Sequence, residues 1–91
     1  MPDSAPAWCV YMVRCADDTL YTGITNDLTA RLERHNAGQG AKYTRSRRPV
    51  ALVYQEPAAD RAAAQRREYG IRKLTASQKR SLIQSFHTVG A

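Results

Sequence analysis

Eight nearly unbroken apolar residues near the start of the chain constrain its fold more than any other segment: WCVYMVRC, residues 8–15. A strand with one wetted face alternates apolar and polar side chains, whereas this run is apolar at both odd and even positions. We therefore predict a strand that is covered on both faces. The turn-forming ADDT follows, and LYTGI at 20–24 predicts a second strand that is antiparallel to the first.

A helix and a third strand are expected after this hairpin. TNDL supplies capping residues, and the helix should run from about 27 to 37, with Asp27 at its start. Gly38 suits the left-handed position that ends a helix. VALVYQ at 50–55 predicts the third strand, which EPAAD should terminate.

Two more helices complete the expected order β-β-α-β-α-α. One should cover about 61–73, and the spacing of TASQ at 75–78 is that of a capping box that opens a last helix to about Phe86. This order predicts an α+β fold, a small three-stranded sheet flanked by helices. We expect a single domain with loose ends on either side: domain 8–86, ends 1–7 and 87–91.

The size and composition of the chain exclude several classes of protein. Ninety-one residues with 43% hydrophobic content can fold as one domain without a metal or a disulfide. No apolar stretch approaches the ~20 residues of a membrane span, and MPDSAPA lacks the features of a signal peptide. Cys9 and Cys15 in one strand would lie about 20 Å apart, beyond disulfide reach. We expect a cytoplasmic protein.

The net charge of +6 is unevenly distributed. Residues 1–38 contain three basic and five acidic side chains, and residues 39–91 contain eleven basic and three acidic ones. A polyanionic partner, most commonly a nucleic acid, is the natural inference, and a solvated basic surface kept for solubility is the alternative. The cations concentrate in GQGAKYTRSRRP, which includes no acid: Lys42, Arg45, Arg47 and Arg48.

The first helix carries an arginine and a histidine one turn apart. At about 100° per residue, Leu28 and Leu32 lie at the centre of the buried stripe. His35 falls between them and Arg31 lies to one side, so the pair borders the core. The histidine is either a satisfied core residue or a catalyst.

The long helix carries a carboxylate in its apolar stripe. Ala64 and Ile71 define the inner face, and Glu68 projects between them. An unpaired carboxylate is costly to bury. Glu68 therefore either pairs with an arginine or lies in a wet functional cleft, where it could hold a metal ion.

The two strands of the hairpin contain Tyr11, Tyr21 and Gly23. Tyrosine in a strand is commonly a packing residue, and glycine indicates a bulge, the close approach of a ligand or the end of a strand. We predict that the two phenols share one face of the sheet. Their residue numbers then require a three-residue turn or a bulge, because a two-residue turn would place them on opposite faces.

The joint pattern resembles the GIY-YIG nuclease superfamily. CVY is followed by YTG, by arginine and histidine ten and fourteen residues after the second tyrosine, and by a distant helical glutamate. GAKYTRSRRPVALVYQE adds a closer likeness to small bacterial single-domain members, which are related to the catalytic domain of structure-specific endonucleases. The resemblance implies a metal-dependent endonuclease that hydrolyses phosphodiester bonds in DNA, with structured or damaged DNA as candidate substrates. A non-catalytic nucleic-acid-binding module that kept the fold is the alternative.

The resemblance also implies roles for individual residues. Glu68 is expected to hold one Mg²⁺ or Mn²⁺ ion, and Arg31 to contact a phosphate oxygen. Either Tyr11 or His35 would be the general base. DNA is favoured over RNA, the basic segment 42–48 should contact its phosphates, and a protein partner could supply targeting. The expected catalytic residues are Tyr11, Tyr21, Arg31, His35 and Glu68, with the backbone of Gly23 near the substrate.

Overall fold

The computed structural model describes residues 7–89. They form three strands and four helices, and the predicted α+β fold is confirmed. Residues 1–6 and 90–91, which belong to the ends expected to be loose, lie outside the described part. The elements are β1 (Trp8–Arg14), β2 (Leu20–Thr25), α1 (Leu28–Asn36), α2 (Lys42–Arg45), β3 (Ala51–Ala58), α3 (Arg61–Arg72) and α4 (Ala76–Val89).

The apolar run forms the central strand of an antiparallel sheet with the order β2-β1-β3. Val10 and Met12 point to one face, where α3 and α4 close the larger core cluster. Tyr11 and Val13 point to the other face, towards the leucines of α1. All four side chains have no exposed surface, so the predicted burial on both faces is confirmed.

The turn between β1 and β2 has the predicted three residues, 16–18. The Cys15 N–H donates to the Thr19 carbonyl at 2.8 Å, and Asp18 has a φ of 68°. A type I turn followed by a left-handed residue is a common form of three-residue hairpin. In the resulting register Tyr11 pairs with Gly23 and Val13 with Tyr21. The two tyrosines therefore share a face, as predicted.

Three of the predicted helix boundaries are confirmed by their hydrogen bonds. Asp27 caps α1 by accepting the Ala30 N–H at 3.2 Å, and Gly38 follows its end with a φ of 82°. Asp60 caps α3 through the Ala63 N–H at 2.8 Å. The capping box of α4 is reciprocal, at 2.9 and 3.1 Å between Thr75 and Gln78.

Two element ends differ from the prediction. β3 does not stop at 55 but continues to Ala58, with Pro57 inside it. This is compatible with pairing because β3 is an edge strand, where a missing N–H does not interrupt the ladder. α4 continues past Phe86 to Val89, so residues 87–89 are helical instead of loose.

No helix in the part of the chain that the structure describes is long and apolar enough to cross a bilayer. Cys9 is half-buried and Cys15 buried, both as free thiols.

Candidate active site

Three side chains from β1 and α1 meet on the face of the sheet that α1 covers. The Tyr11 hydroxyl lies 2.8 Å from His35 Nε2, and Arg31 Nε donates to it at 3.3 Å. Tyr11 and His35 have no exposed surface, and Arg31 is half-buried. The i,i+4 pair predicted on the first helix thus borders the core and holds one phenol between its two members.

A fourth residue, Thr44, fixes the tautomer of the histidine. Thr44 is fully buried, its hydroxyl lies 2.8 Å from His35 Nδ1, and it donates to the Ala41 carbonyl at 2.9 Å. A hydroxyl has one hydrogen to donate. It must therefore accept the hydrogen bond from His35, which places the proton on Nδ1. The lone pair of Nε2 then accepts the proton of the Tyr11 hydroxyl.

Burial keeps both ends of the phenol–imidazole hydrogen bond uncharged at neutral pH. It lowers the pKa of His35 below its ordinary value, and the positive charge of Arg31 lowers it further. Burial also raises the pKa of Tyr11, and the hydrogen bond from Arg31 offsets this only in part. Because Arg31 is permanently charged, negative charge that develops on the phenol oxygen would be stabilised there.

Tyr21 extends this cluster towards solvent. Its ring lies 6.4 Å from Tyr11 and 5.4 Å from His35, and it stacks on the exposed Tyr43 at 6.0 Å. Tyr21 is half-buried. It therefore links the enclosed hydrogen bonds to the surface.

Two glycines make room for the catalytic candidates. A Cβ on Gly23 would lie 2.6 Å from the Tyr11 hydroxyl oxygen and 2.8 Å from Cζ, so the close approach expected at Gly23 is made by the protein's own phenol. A Cβ on Gly40 would lie 2.4 Å from Nδ1 and 2.9 Å from Cα of His35. That a substrate also approaches the Gly23 backbone stays a prediction.

Glu68 lies in an open cleft at the β2 edge of the sheet, which we call the Glu68 cleft. Its carboxylate accepts a hydrogen bond from Arg72 Nη1 at 3.1 Å. The side chain of Arg72 is 64% exposed and that of Glu68 19% exposed, so the pair is not sealed. Ala64 and Ile71 on either side are fully buried, as predicted. The cleft has a volume of about 450 Å³ and is lined by Leu20, Tyr21, Thr22, Tyr43, Glu68, Arg72 and Lys79.

The expected catalytic residues are thus brought together to different degrees. Tyr11, Arg31 and His35 are hydrogen-bonded, and Tyr21 contacts two of them. Tyr21 also lines the Glu68 cleft, so it connects the three hydrogen-bonded residues with Glu68. Within residues 7–89 the hydrogen bond of Glu68 goes to Arg72 and not to the other four.

The donor set at Glu68, a single carboxylate with one oxygen hydrogen-bonded to Arg72, fits a divalent ion that keeps most of its water. No group of three or more histidine, cysteine, aspartate or glutamate side chains in the described residues could enclose a metal. Mg²⁺ is commonly held by one or two carboxylates plus substrate phosphates and retains several waters. One partly exposed carboxylate in a cleft meets that requirement, so the residues present fit the ion.

The basic segment between α1 and β3 is more ordered than expected. The expected order β-β-α-β-α-α has no helix here, but residues 42–45 form α2, and two of the four cations contact the protein. Arg47 pairs with Asp17 at 3.0 Å and lies over the Tyr43 ring at 4.0 Å. Arg48 donates to the Arg45 carbonyl at 2.9 Å. The exposed Lys42 and Arg45 make no ion pair within the described residues.

Thr44, Gly40 and Tyr43 were missed by the sequence patterns. They lie in a segment whose four-residue helix is too short to show a periodicity and has no side-chain cap. Gly40 and Thr44 follow His35, which the sequence placed at the core, and that combination could have indicated that they contact the histidine.

A phenol, an arginine and a histidine on one face of an antiparallel hairpin sheet, with a glutamate on the helix after β3, define a class of protein. The GIY-YIG catalytic domain model matches residues 7–81, and the chain belongs to that family. It is a family of nucleases, which act on nucleic acids and generally use a divalent metal ion.

The relatives of the chain are UPF0213 proteins, a small single-domain GIY-YIG family. The chain is 54% identical over 81 residues to a UPF0213 protein of Desulfotalea psychrophila, covering 88% of this chain and 74% of the relative. It is 52% identical over 75 residues to one of Staphylococcus haemolyticus, covering 82% and 92%.

Two solved structures have the same fold. The solution NMR structure of a UPF0213 protein from Bacillus halodurans has a TM-score of 0.55 at 37% identity, over 86% of this chain and 83% of that one. The solution NMR structure of a protein from E. faecalis has a TM-score of 0.61 at 38% identity, over 90% and 88%.

Proposed function

We propose that the chain is a divalent-metal-dependent endonuclease that hydrolyses phosphodiester bonds in DNA. The observation that carries the proposal is the directed hydrogen-bond chain from Arg31 through Tyr11 to His35. It ends on a neutral imidazole whose tautomer is fixed by Thr44, an arrangement suited to proton transfer. The carboxylate of Glu68 in the neighbouring cleft supports the same function.

In the proposed reaction the attacking water is deprotonated by two coupled proton transfers. Tyr11 accepts a proton from the attacking water on its hydroxyl oxygen and passes its own to His35 Nε2. Because burial raises the pKa of Tyr11, the phenol is protonated before the reaction, and we propose that the two transfers occur together. Arg31 stabilises the charge on the phenol oxygen through Nε, and its Nη groups can contact a non-bridging phosphate oxygen.

Glu68 would hold the divalent ion, and the ion would supply positive charge to the scissile phosphate and to the leaving oxygen. Tyr21 and Tyr43 line the same cleft as Glu68 and provide aromatic surface beside it. Such surface suits the stacking of a nucleotide base.

A nicking assay with Mg²⁺ on a supercoiled plasmid tests the proposal. Glu68→Gln removes the charge of the carboxylate and keeps its shape, and Glu33→Gln makes the same change on the exposed side of α1. We expect the wild type and the Glu33→Gln variant to nick the plasmid, and Glu68→Gln to lose nicking at every Mg²⁺ concentration. Equal nicking by all three proteins would refute the metal-binding role of Glu68.

The non-catalytic alternative also has an observation in its favour. Tyr11 has no exposed surface, and the carboxylate of Glu68 already accepts a hydrogen bond from Arg72. Both groups would then serve only the fold, and the basic surface would bind nucleic acid. The nicking assay distinguishes the two functions because a binding module nicks with none of the variants.

Binding through the basic segment is expected under either function. Lys42 and Arg45 are exposed and make no ion pair within residues 7–89. If each contacts one phosphate of a duplex, replacing both with alanine should flatten the slope of log K against log[salt] by about 1.8. Replacing Arg47 and Arg48 instead would also break their contacts with the protein. An unaltered slope would show that the segment is a solvated surface.

A further inference from the structure

A second cavity, which we call the hairpin groove, lies between the β1–β2 hairpin and α4. It has a volume of about 720 Å³. The hairpin contributes the end of β1, the turn and the start of β2, and α4 contributes one face. The residues that matter below are Arg14, Asp18, Leu20, Lys79, Arg80 and Ile83.

The rim of the hairpin groove is positively charged. Arg14, Lys79 and Arg80 face a single acid, Asp18. The three ion pairs among residues 7–89 all use other arginines, so no described carboxylate forms an ion pair with these cations. Uncompensated cations around a concave surface attract a polyanion.

The cations are held on a fixed scaffold. The α4 residues of the groove recur at helical spacing, 76, 79, 80, 83 and 84, and so share one face. Ile83 and Leu20 form the apolar part of the groove and also pack against the larger core cluster. The groove therefore combines a charged rim with a rigid apolar floor, which suits phosphates on the rim and sugar or base edges on the floor.

The hairpin groove adjoins the Glu68 cleft. Leu20 and Lys79 line both cavities. A chain that occupies the cleft can therefore extend along the side of α4 without leaving the protein surface.

We propose that the hairpin groove binds the phosphate backbone of the nucleic-acid strand that continues from the scissile phosphate in the Glu68 cleft. The inference rests on the proposed function and extends it by a second anchoring site on one side of the cut. Arg14 and Arg80 hold flanking phosphates, and Lys79 lies at the junction of the two cavities.

Salt-dependent binding tests the groove with a matched control. Arg14→Ala with Arg80→Ala removes two exposed cations from the groove. Arg34→Ala with Arg66→Ala removes two exposed cations elsewhere, so the net charge of the two double variants is equal. Binding of a fluorescent oligonucleotide is measured by anisotropy in EDTA, which prevents cleavage. We expect the groove variant to lose about 1.4–1.8 from the slope of log K against log[salt] and the control to keep the wild-type slope.

Shortening the oligonucleotide locates the contact. Removing the nucleotides on the groove side of the cut should weaken binding to the wild type and have little effect on the groove variant, because both changes delete the same contacts. Asp18→Asn should tighten binding, because it removes the one acid of the rim and asparagine tolerates the positive φ at that position.

The failure of the groove is distinguishable from the failure of the proposed function. If wild-type protein nicks DNA and both double variants bind with the same slope, the groove proposal is wrong and the nuclease proposal stands. A steeper loss in the Arg34 and Arg66 control than in the groove variant would also overturn the groove proposal. If the groove variant loses slope while the wild type never nicks, the groove proposal survives for a binding module.

Discussion

Gly23→Ala should destabilise the protein even though alanine is normally the more favourable residue. Gly23 faces Tyr11 across the β1–β2 ladder, and the new Cβ would lie 2.6 Å from the hydroxyl oxygen and 2.8 Å from Cζ of that ring. The ring is fully buried and cannot swing into solvent. It must shift, which strains its hydrogen bonds to Arg31 and His35.

The magnitude follows from two opposing effects. Replacing a glycine in an allowed conformation favours the folded state by about 0.4–1 kcal/mol through the unfolded chain. Overpacking a well-filled core costs about 1–3 kcal/mol, and leaving a buried hydrogen-bonding group unpaired costs about 1–3 kcal/mol more. We expect the free energy of unfolding to fall by roughly 1–5 kcal/mol, and the midpoint of thermal unfolding to fall by about 4–8 °C for each kcal/mol.

Gly70→Ala is the matched control. A Cβ on Gly70, in the last turn of α3, would meet no atom within 4 Å. The helix propensity of alanine should then stabilise the protein by about 1 kcal/mol. Urea unfolding followed by circular dichroism measures both variants, which should change in opposite directions. If Gly23→Ala stabilises the protein as Gly70→Ala does, the packing of Tyr11 on Gly23 is not as described.

Three further predictions concern the buried histidine. Thr44→Val should move the His35 proton from Nδ1 to Nε2 and lower the free energy of unfolding by about 1–3 kcal/mol, whereas Thr44→Ser should keep the tautomer. The ¹⁵N chemical shifts of the His35 ring show which nitrogen carries the proton. A proton that stays on Nδ1 in Thr44→Val would contradict the role of Thr44 in fixing the tautomer. Because burial lowers the pKa of His35 in the folded state, its contribution to stability should be present well above pH 6.5 and should be lost as the pH falls below about 6.5, where the unfolded chain takes up a proton before the folded one does. His35→Gln should flatten this dependence and the exposed His87→Gln should retain it, so equal profiles would refute the reasoning. Gly40→Ala should abolish nicking and destabilise the fold, because its Cβ would meet the His35 ring and backbone; wild-type stability would exclude this contact.

Side-chain periodicity was enough to predict the sheet and its two covered faces. The apolar run at 8–15 predicted a strand that is covered on both faces, and the parity of the two tyrosines, placed on one face, required a three-residue turn or a bulge. Local capping chemistry located the helix starts at Asp27, Asp60 and Thr75. These features depend on neighbours within a few residues of the chain, so the sequence alone contains them.

The remaining features depend on contacts between distant segments. Thr44 reaches His35 because α2 folds back on α1, and a four-residue helix is too short to show a periodic pattern in the sequence. Arg47 is neutralised by Asp17 from the hairpin turn, which a count of charges along the chain cannot reveal. β3 continued through Pro57 because it lies at an edge, and the strand order was not available from the sequence.

The role of the phenol is the central claim, and Tyr11→Phe tests it most directly. The substitution removes the hydroxyl that Arg31 and His35 contact and leaves the ring on Gly23. Tyr54→Phe removes a buried hydroxyl on the opposite face of the sheet, where it donates to Glu56, and serves as the control. Single-turnover cleavage of a labelled DNA in Mg²⁺ should be slowed about 10²–10⁴-fold in Tyr11→Phe and remain near the wild-type rate in Tyr54→Phe. Cleavage by Tyr11→Phe at the wild-type rate would contradict the proposed proton transfer.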